Sequence, residues 1–219
     1  MRALRRNQLV WLHDAAWATL AARPWDTAAR TTLAHWQQHR LPLVVCRQAP
    51  CTSTQRISVG LAAPRSWAAS KLALDLAPED IQAHGDFPTL QEVAQGTAWQ
   101  SAAQALADGL GITAHVYGSH GWQHLSGLDY VHAQSDIDLS LQVPDMDTAQ
   151  AVVAQLESAQ LPMRIDGELV FAGGHAVAWR EYARLLQGQT RSVMVKSRHS
   201  LQLADLPALQ ALTEAACAI

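Results

Sequence analysis

Apolar positions along the chain fall into short runs and alternations whose period shifts between two and 3.6, the signatures of strands and helices. Leu43-Val44-Val45-Cys46, set off by Pro42, predicts a short buried strand. Residues 57–61 predict a second. Lys71-Leu72-Ala73-Leu74-Asp75-Leu76 alternates polar with apolar and predicts a third strand with one wet face. Ahead of these, Asp14 predicts the cap of a helix over 15–22 that ends at Pro24. Asp26 predicts the cap of a helix over 27–39 with Leu33 and Trp36 on one side. Pro50 to Gln55 reads as a polar turn. Residues 1–85 are thus expected to form a small α+β domain.

Residues 77–88 carry Pro, Gly and acids without periodicity and read as a connection. The second expected domain is 86–219. It opens with a long helix over 89–107, closed by Gly109 and Gly111, and continues into a strand over 112–117. A strand over 137–143, a helix over 148–158 started by Pro144-Asp145, and a strand over 163–171 follow. After the Gly173-Gly174 turn come a helix over 177–186, a strand over 192–196 and a tail with Pro207 and a short helix. Strands and helices mixed in this way give an α+β class.

Two stretches carry chemistry. Val116-Tyr117-Gly118-Ser119 reads as a strand running into a turn and then a helix start, where free backbone N–H groups favour an anionic phosphate. Asp136 and Asp138 stand two apart at the next strand, so their carboxylates point to one face. Like charges on one face repel, and a cation relieves the cost. Paired hard oxygens suit Mg²⁺, which is usually held by one or two carboxylates together with substrate phosphates. A third acid is expected from 163–171, where Asp166 and Glu168 share a face; Asp166 is the choice, as a metal ligand or as acceptor of a hydroxyl proton. The bland alternatives are a solvated strand end for the pair and an Asp-Gly turn for Asp166. Lys196, at the end of an apolar strand, is a candidate phosphate binder, with Arg180 beside it; ordinary surface charge is the alternative for both. His120 and His124 are four apart but lack the glutamate of a zinc-protease helix.

Composition narrows the class. The chain has 219 residues, 49% hydrophobic and 16% charged, enough for a substantial core. A formal net charge of −3 gives no bulk attraction to nucleic acid or an anionic membrane. The three cysteines, Cys46, Cys51 and Cys217, are odd in number and show no Cys-x-x-Cys spacing, which fits a reducing cytoplasm. No apolar run reaches the roughly 20 residues of a membrane span. The basic start is not followed by an apolar stretch, because His13 and Asp14 interrupt it, so no secretion signal is read.

The Gly-Ser turn followed by Asp-x-Asp resembles the nucleotidyltransferase superfamily of the DNA polymerase β type, with a longer interval than usual between turn and acids. That interval carries Trp122-Gln123, Leu125-Ser126-Gly127-Leu128 and Tyr130, and is followed by Ser135-Asp136-Ile137-Asp138-Leu139. With these, the chain resembles malonate decarboxylase holo-acyl-carrier-protein synthase, the phosphoribosyl-dephospho-CoA transferase family. Asp166-Gly167-Glu168, Ala178-Trp179-Arg180-Glu181 and Val193-Met194-Val195-Lys196 add to the likeness, as do Leu9-Val10-Trp11-Leu12 and Val59-Gly60-Leu61 with Lys71. The resemblance implies a polymerase-β-like nucleotidyltransferase domain with a mixed sheet after the N-terminal domain. It implies 2′-(5″-triphosphoribosyl)-3′-dephospho-CoA as donor and a serine of the apo acyl-carrier subunit of malonate decarboxylase as acceptor, with pyrophosphate leaving. The family's paired acids map onto Asp136 and Asp138. Two other readings stay open: a generic nucleotidyltransferase using ATP, and an inactive binding module on the same fold.

Overall fold

The computed structural model describes residues 4–48 and 56–217; the expected turn from Pro50 to Gln55 lies outside the described residues. The chain divides into two compact units, Met1–Phe87 with Trp122–Tyr130, and Pro88–Gly121 with Val131–Ile219. Each mixes helices with a sheet, so the class is α+β.

In the first unit the elements are β1 (Leu9–Leu12), α1 (Asp14–Ala21), α2 (Thr27–Gln38), β2 (Leu43–Val45), β3 (Ile57–Ala62), β4 (Lys71–Leu76) and β5 (Ile81–Gly85). Its sheet has the order β4-β3-β2-β1-β5, antiparallel throughout. Asp26 caps α2 by accepting a 2.7 Å hydrogen bond from the Ala29 amide. Asp14 is not a cap: it is the first residue of α1, and the preceding His13 makes no side-chain cap bond. The expected connection after β4 contains a 3-10 turn over Pro78–Asp80 and then β5. This strand pairs only with β1 at the sheet edge, and its middle residues are exposed, so it has no apolar alternation to announce it. Residues 122–130 belong to this unit. Trp122 is buried with its ring edge-on to Phe87 at 5.4 Å and tilted against Trp36 at 6.3 Å. The Gln123 Oε1 accepts from the Tyr130 amide, and the Tyr130 hydroxyl donates to the Ala62 carbonyl at 2.7 Å.

The second unit begins with α3 (Leu90–Ala94), α4 (Gln100–Leu110) and β6 (Ala114–Tyr117). The long helix expected over 89–107 is two helices. Thr89 and Glu92 form a reciprocal capping box at the start of α3. Gly96 then takes φ +75, a left-handed conformation that ends the first helix. Next come α5 (Gly118–Ser126), β7 (Ile137–Gln142), α6 (Met146–Ser158) and β8 (Ile165–Val170). The chain finishes with β9 (Ala176–Ala178), α7 (Trp179–Leu186), β10 (Val193–Lys196), β11 (Leu201–Ala204) and α8 (Leu206–Cys217). The six strands run β11-β10-β9-β8-β7-β6. β7 and β8 are parallel and the other neighbours antiparallel, so the sheet is mixed. One face of it is buried: Val116 on β6, Ile137, Leu139 and Leu141 on β7, Leu169 on β8, and Val193 and Val195 on β10 all belong to a single apolar core. Val152, Val153 and Leu156 of α6 and Tyr182 of α7 complete that core. The period of two then sends the alternate residues of β7 and β8 to the opposite face, and the acids are among them.

Candidate active site

The pairing register brings the acids together. Asp138 of β7 lies opposite Tyr117 of β6 on one side and Asp166 of β8 on the other. One step along, Ser140 lies between His115 and Glu168. Residues paired in this way share a face, so Asp138, Ser140, Asp166 and Glu168 form a polar surface behind an apolar one. Asp136 sits immediately before β7, about two-thirds buried like Asp166. Asp166-Gly167 is not a turn: both residues lie inside β8, and Gly167 passes the Leu139 backbone so closely, at φ +131, that a β-carbon there would collide with it.

Gly118 opens α5 at φ +65 directly against the Asp138 carboxylate; a β-carbon at 118 would overlap it. The Gly-Ser start of a helix and the acid pair are therefore adjacent. The first amides of a helix have no intrahelical acceptor and carry the positive end of its dipole. Ser119 is the second residue of α5 and half-buried. Burial, first, and then the carboxylates of Asp166, Asp136 and Glu168 push the Asp138 carboxyl up to about 6. The carboxylates are thus crowded in a place that disfavours their charge.

Two cationic side chains answer the acids. Lys196 Nζ binds Glu168 Oε1 at 2.9 Å, and Glu168 is almost fully buried, so this expected phosphate ligand is tied to a carboxylate of the same face. Arg164, which the sequence reading passed over, places Nη2 3.4 Å from Asp166 Oδ2 and Nη1 3.8 Å from Asp136 Oδ2. Arg180 is neither free nor at the acids: it donates to the Ile165 carbonyl at 2.8 Å and its guanidinium lies over the Trp179 ring. Lys71 and Arg47 are exposed in the first unit. Of the two histidines, His120 is buried edge-on to Trp99, with its pKa lowered by burial, while His124 is exposed.

Among the described residues, no three acid, histidine or cysteine side chains are gathered closely enough to cage a metal by themselves. The chemistry of the donor set still fits Mg²⁺, because two carboxylates and the phosphates of a substrate suffice for that ion. A cationic guanidinium already stands between Asp136 and Asp166, where positive charge is favoured.

Two family models cover nearly the whole chain. The Phosphoribosyl-dephospho-CoA transferase MdcG N-terminal domain matches residues 5–87, and the corresponding C-terminal domain matches residues 87–207. The chain belongs to the phosphoribosyl-dephospho-CoA transferase family. Membership makes it an enzyme of the transferase class. A protein of that name from Xanthomonas axonopodis pv. citri is 36% identical over 212 residues, covering 93% of this chain and 95% of the relative. One from Bradyrhizobium diazoefficiens is 34% identical over 209 residues, 91% of this chain and 89% of the relative. A third, from Pseudomonas putida, is 33% identical over 219 residues, 94% and 96% respectively. No solved structure matches. No helix among the described residues is long and apolar enough to cross a membrane.

Proposed function

We propose that this chain transfers the phosphoribosyl-dephospho-CoA group from 2′-(5″-triphosphoribosyl)-3′-dephospho-CoA to a serine of the acyl-carrier subunit of malonate decarboxylase in the cytoplasm. The observation that supports it most is the junction of Gly118 with Asp138 and, through the strand register, Asp166. The domain 86–219 would be a catalytic domain of the polymerase-β-like nucleotidyltransferase kind, and 1–85 an α+β domain beside it in sequence.

In this reading the serine Oγ attacks the phosphorus next to the ribose. A new O–P bond forms, the bond to pyrophosphate breaks, and the hydroxyl proton leaves to a base. Asp166, opposite Asp138 and a third exposed, is the acceptor of that proton or a third ligand. Asp136 and Asp138 would hold Mg²⁺, which supplies charge neutralisation on the phosphates and alignment of the displacement. The amides at Gly118 and Ser119 would bind the departing pyrophosphate as an anion at a helix start. Lys196 supports the site through Glu168 and would reach phosphate only by exchanging that partner.

Donor choice tests the reading. The protein is incubated with Mg²⁺, the apo carrier subunit and either the triphosphoribosyl donor or ATP, and the carrier is weighed by mass spectrometry. Addition of phosphoribosyl-dephospho-CoA from the first donor alone is expected. Addition of AMP from ATP, with none from the triphosphoribosyl donor, would replace this function with a generic nucleotidyl transfer. No addition from either would leave the binding-module reading in its place.

A further inference from the structure

Arg164 sits where two charge demands meet. Its backbone is fixed: its carbonyl accepts from the Ile137 amide at 2.9 Å, at the point where β7 and β8 begin to pair. Its Cα is therefore held beside Asp136 and Asp166 whatever the side chain does. The side chain is held less firmly. The contact to Asp166 is 3.4 Å, long for a charged hydrogen bond, and the contact to Asp136 at 3.8 Å is electrostatic only. The guanidinium side chain is 58% exposed. Water screens an ion pair of this kind, and its hold is worth little. Arg164 also lines a cleft of about 550 Å³ between the end of α6 and α7.

The acids outnumber their cation. Asp136 and Asp166 share one guanidinium, Asp138 is pressed by both of those carboxylates, and Glu168 has Lys196. A divalent ion on Asp136 and Asp138 would share the Asp136 carboxylate with the guanidinium. Two cations so close repel, and the weakly held one moves. A donor carrying several phosphates brings the acceptor that a displaced guanidinium then needs, and the planar fork of arginine matches a phosphate edge.

We propose that Arg164 is a substrate-positioning residue that occupies the acids when no divalent cation is bound and turns to the donor's phosphates when one binds. This rests on the metal reading of Asp136 and Asp138. It makes two separable demands. Without donor, Arg164 competes with the cation, so its loss tightens cation binding. With donor, Arg164 contributes a charge-assisted contact, so its loss weakens donor binding.

The probe for the first demand is Mn²⁺ alone, with binding followed by electron paramagnetic resonance on the whole protein without donor. Arg164→Gln should bind Mn²⁺ about two- to five-fold tighter than the parent, the scale of one exposed ion pair. The second demand is read in transfer kinetics, where Arg164→Gln should raise the KM for the triphosphoribosyl donor about ten-fold or more with a smaller change in kcat. Arg164→Lys, which keeps the charge but not the fork, should leave Mn²⁺ affinity near the parent's and recover part of the KM. Equal or weaker Mn²⁺ binding in Arg164→Gln, or an unchanged donor KM, would overturn the proposal. Asp138→Asn separates the two failures. If it abolishes Mn²⁺ binding while parent and Arg164→Gln bind alike, only the role of Arg164 falls; if it binds Mn²⁺ as the parent does, the metal reading falls and Arg164 with it.

Discussion

Asp138 is the residue under most electrostatic pressure in the site. Burial first, then Asp166, Asp136 and Glu168, raise its pKa to about 6 from an ordinary carboxylate value of 3.8. The sign of the consequence is fixed by linkage. The folded protein keeps this proton more strongly than the unfolded chain does, so the group's stabilising contribution is whole below the ordinary carboxylate range. It is lost as pH rises through about 6 and is flat above. Replacing Asp138 with Asn removes that loss. Chemical denaturation at pH 4.5 and pH 7 should therefore show Asp138→Asn gaining on the parent as pH rises. An unchanged difference between the two proteins at both pH values would mean that the carboxyl is not held protonated by its surroundings. If a cation takes the place of that proton, as proposed for Asp136 and Asp138, Mn²⁺ affinity of the parent should also rise through this range. The sequence made the pair Asp136 and Asp138 legible through its spacing alone. It did not make Arg164 legible, because Arg164 meets Asp136 only through the parallel pairing of β7 with β8, and nothing local marks which strands will pair.

At the scale of elements, β8 carries two acids that the fold treats differently. Asp166 faces the open side of the site, and Glu168 is buried and bound to Lys196 of β10. These strands are not neighbours; β9 runs between them, and its Ala176 and Ala178 occupy the positions beside Lys196 and Glu168. Two alanines leave room for a long lysine to reach over. Glu168 is buried but Lys196 is about a third exposed, so removing the cation with Lys196→Met should cost about 2 kcal/mol, measured by urea denaturation. Glu168→Gln combined with Lys196→Met should recover most of it. A loss below about 0.5 kcal/mol in the single variant would put the pair in the class of exposed bridges. β9 itself was hidden in the sequence. Ala176-Val177-Ala178 runs straight into Trp179, and the apolar residues of both elements merged into one helix in the pattern. β11 was hidden for the opposite reason: Leu201 and Leu203 are 50% and 68% exposed, so the strand lies at a sheet edge with no buried alternation to read. Caps were more readable. Asp26 and Asp145 bond the amides of Ala29 and Thr148 as their positions require, because capping is decided within four residues.

At the scale of the whole molecule, the chain path does not follow the division into units. α5 starts in the second unit at Gly118 and ends in the first, where Trp122 packs on Phe87 and Trp36 and Tyr130 bonds Ala62. The long interval between turn and acids, which set the family likeness apart in the sequence, thus consists of a helix and a segment that complete the first unit's core. Composition and periodicity gave the α+β class and the face of the acids, since both follow from short-range order. They gave no hint that residues 122–130 leave one unit for the other, since that depends on which buried surfaces fit. Family membership supplies the transferase class, and the strand register sets Asp138 beside Asp166, with Gly118 against the Asp138 carboxylate and Asp136 just ahead of β7. The most direct test is transfer from the triphosphoribosyl donor to the carrier serine, followed by carrier mass in parent and Asp138→Asn at pH 7 with Mg²⁺. A rate lower by about a thousandfold or more is expected in the variant, the scale of a lost metal-ion contribution, in a protein at least as stable as the parent. Transfer at the parent rate in a folded Asp138→Asn would contradict it.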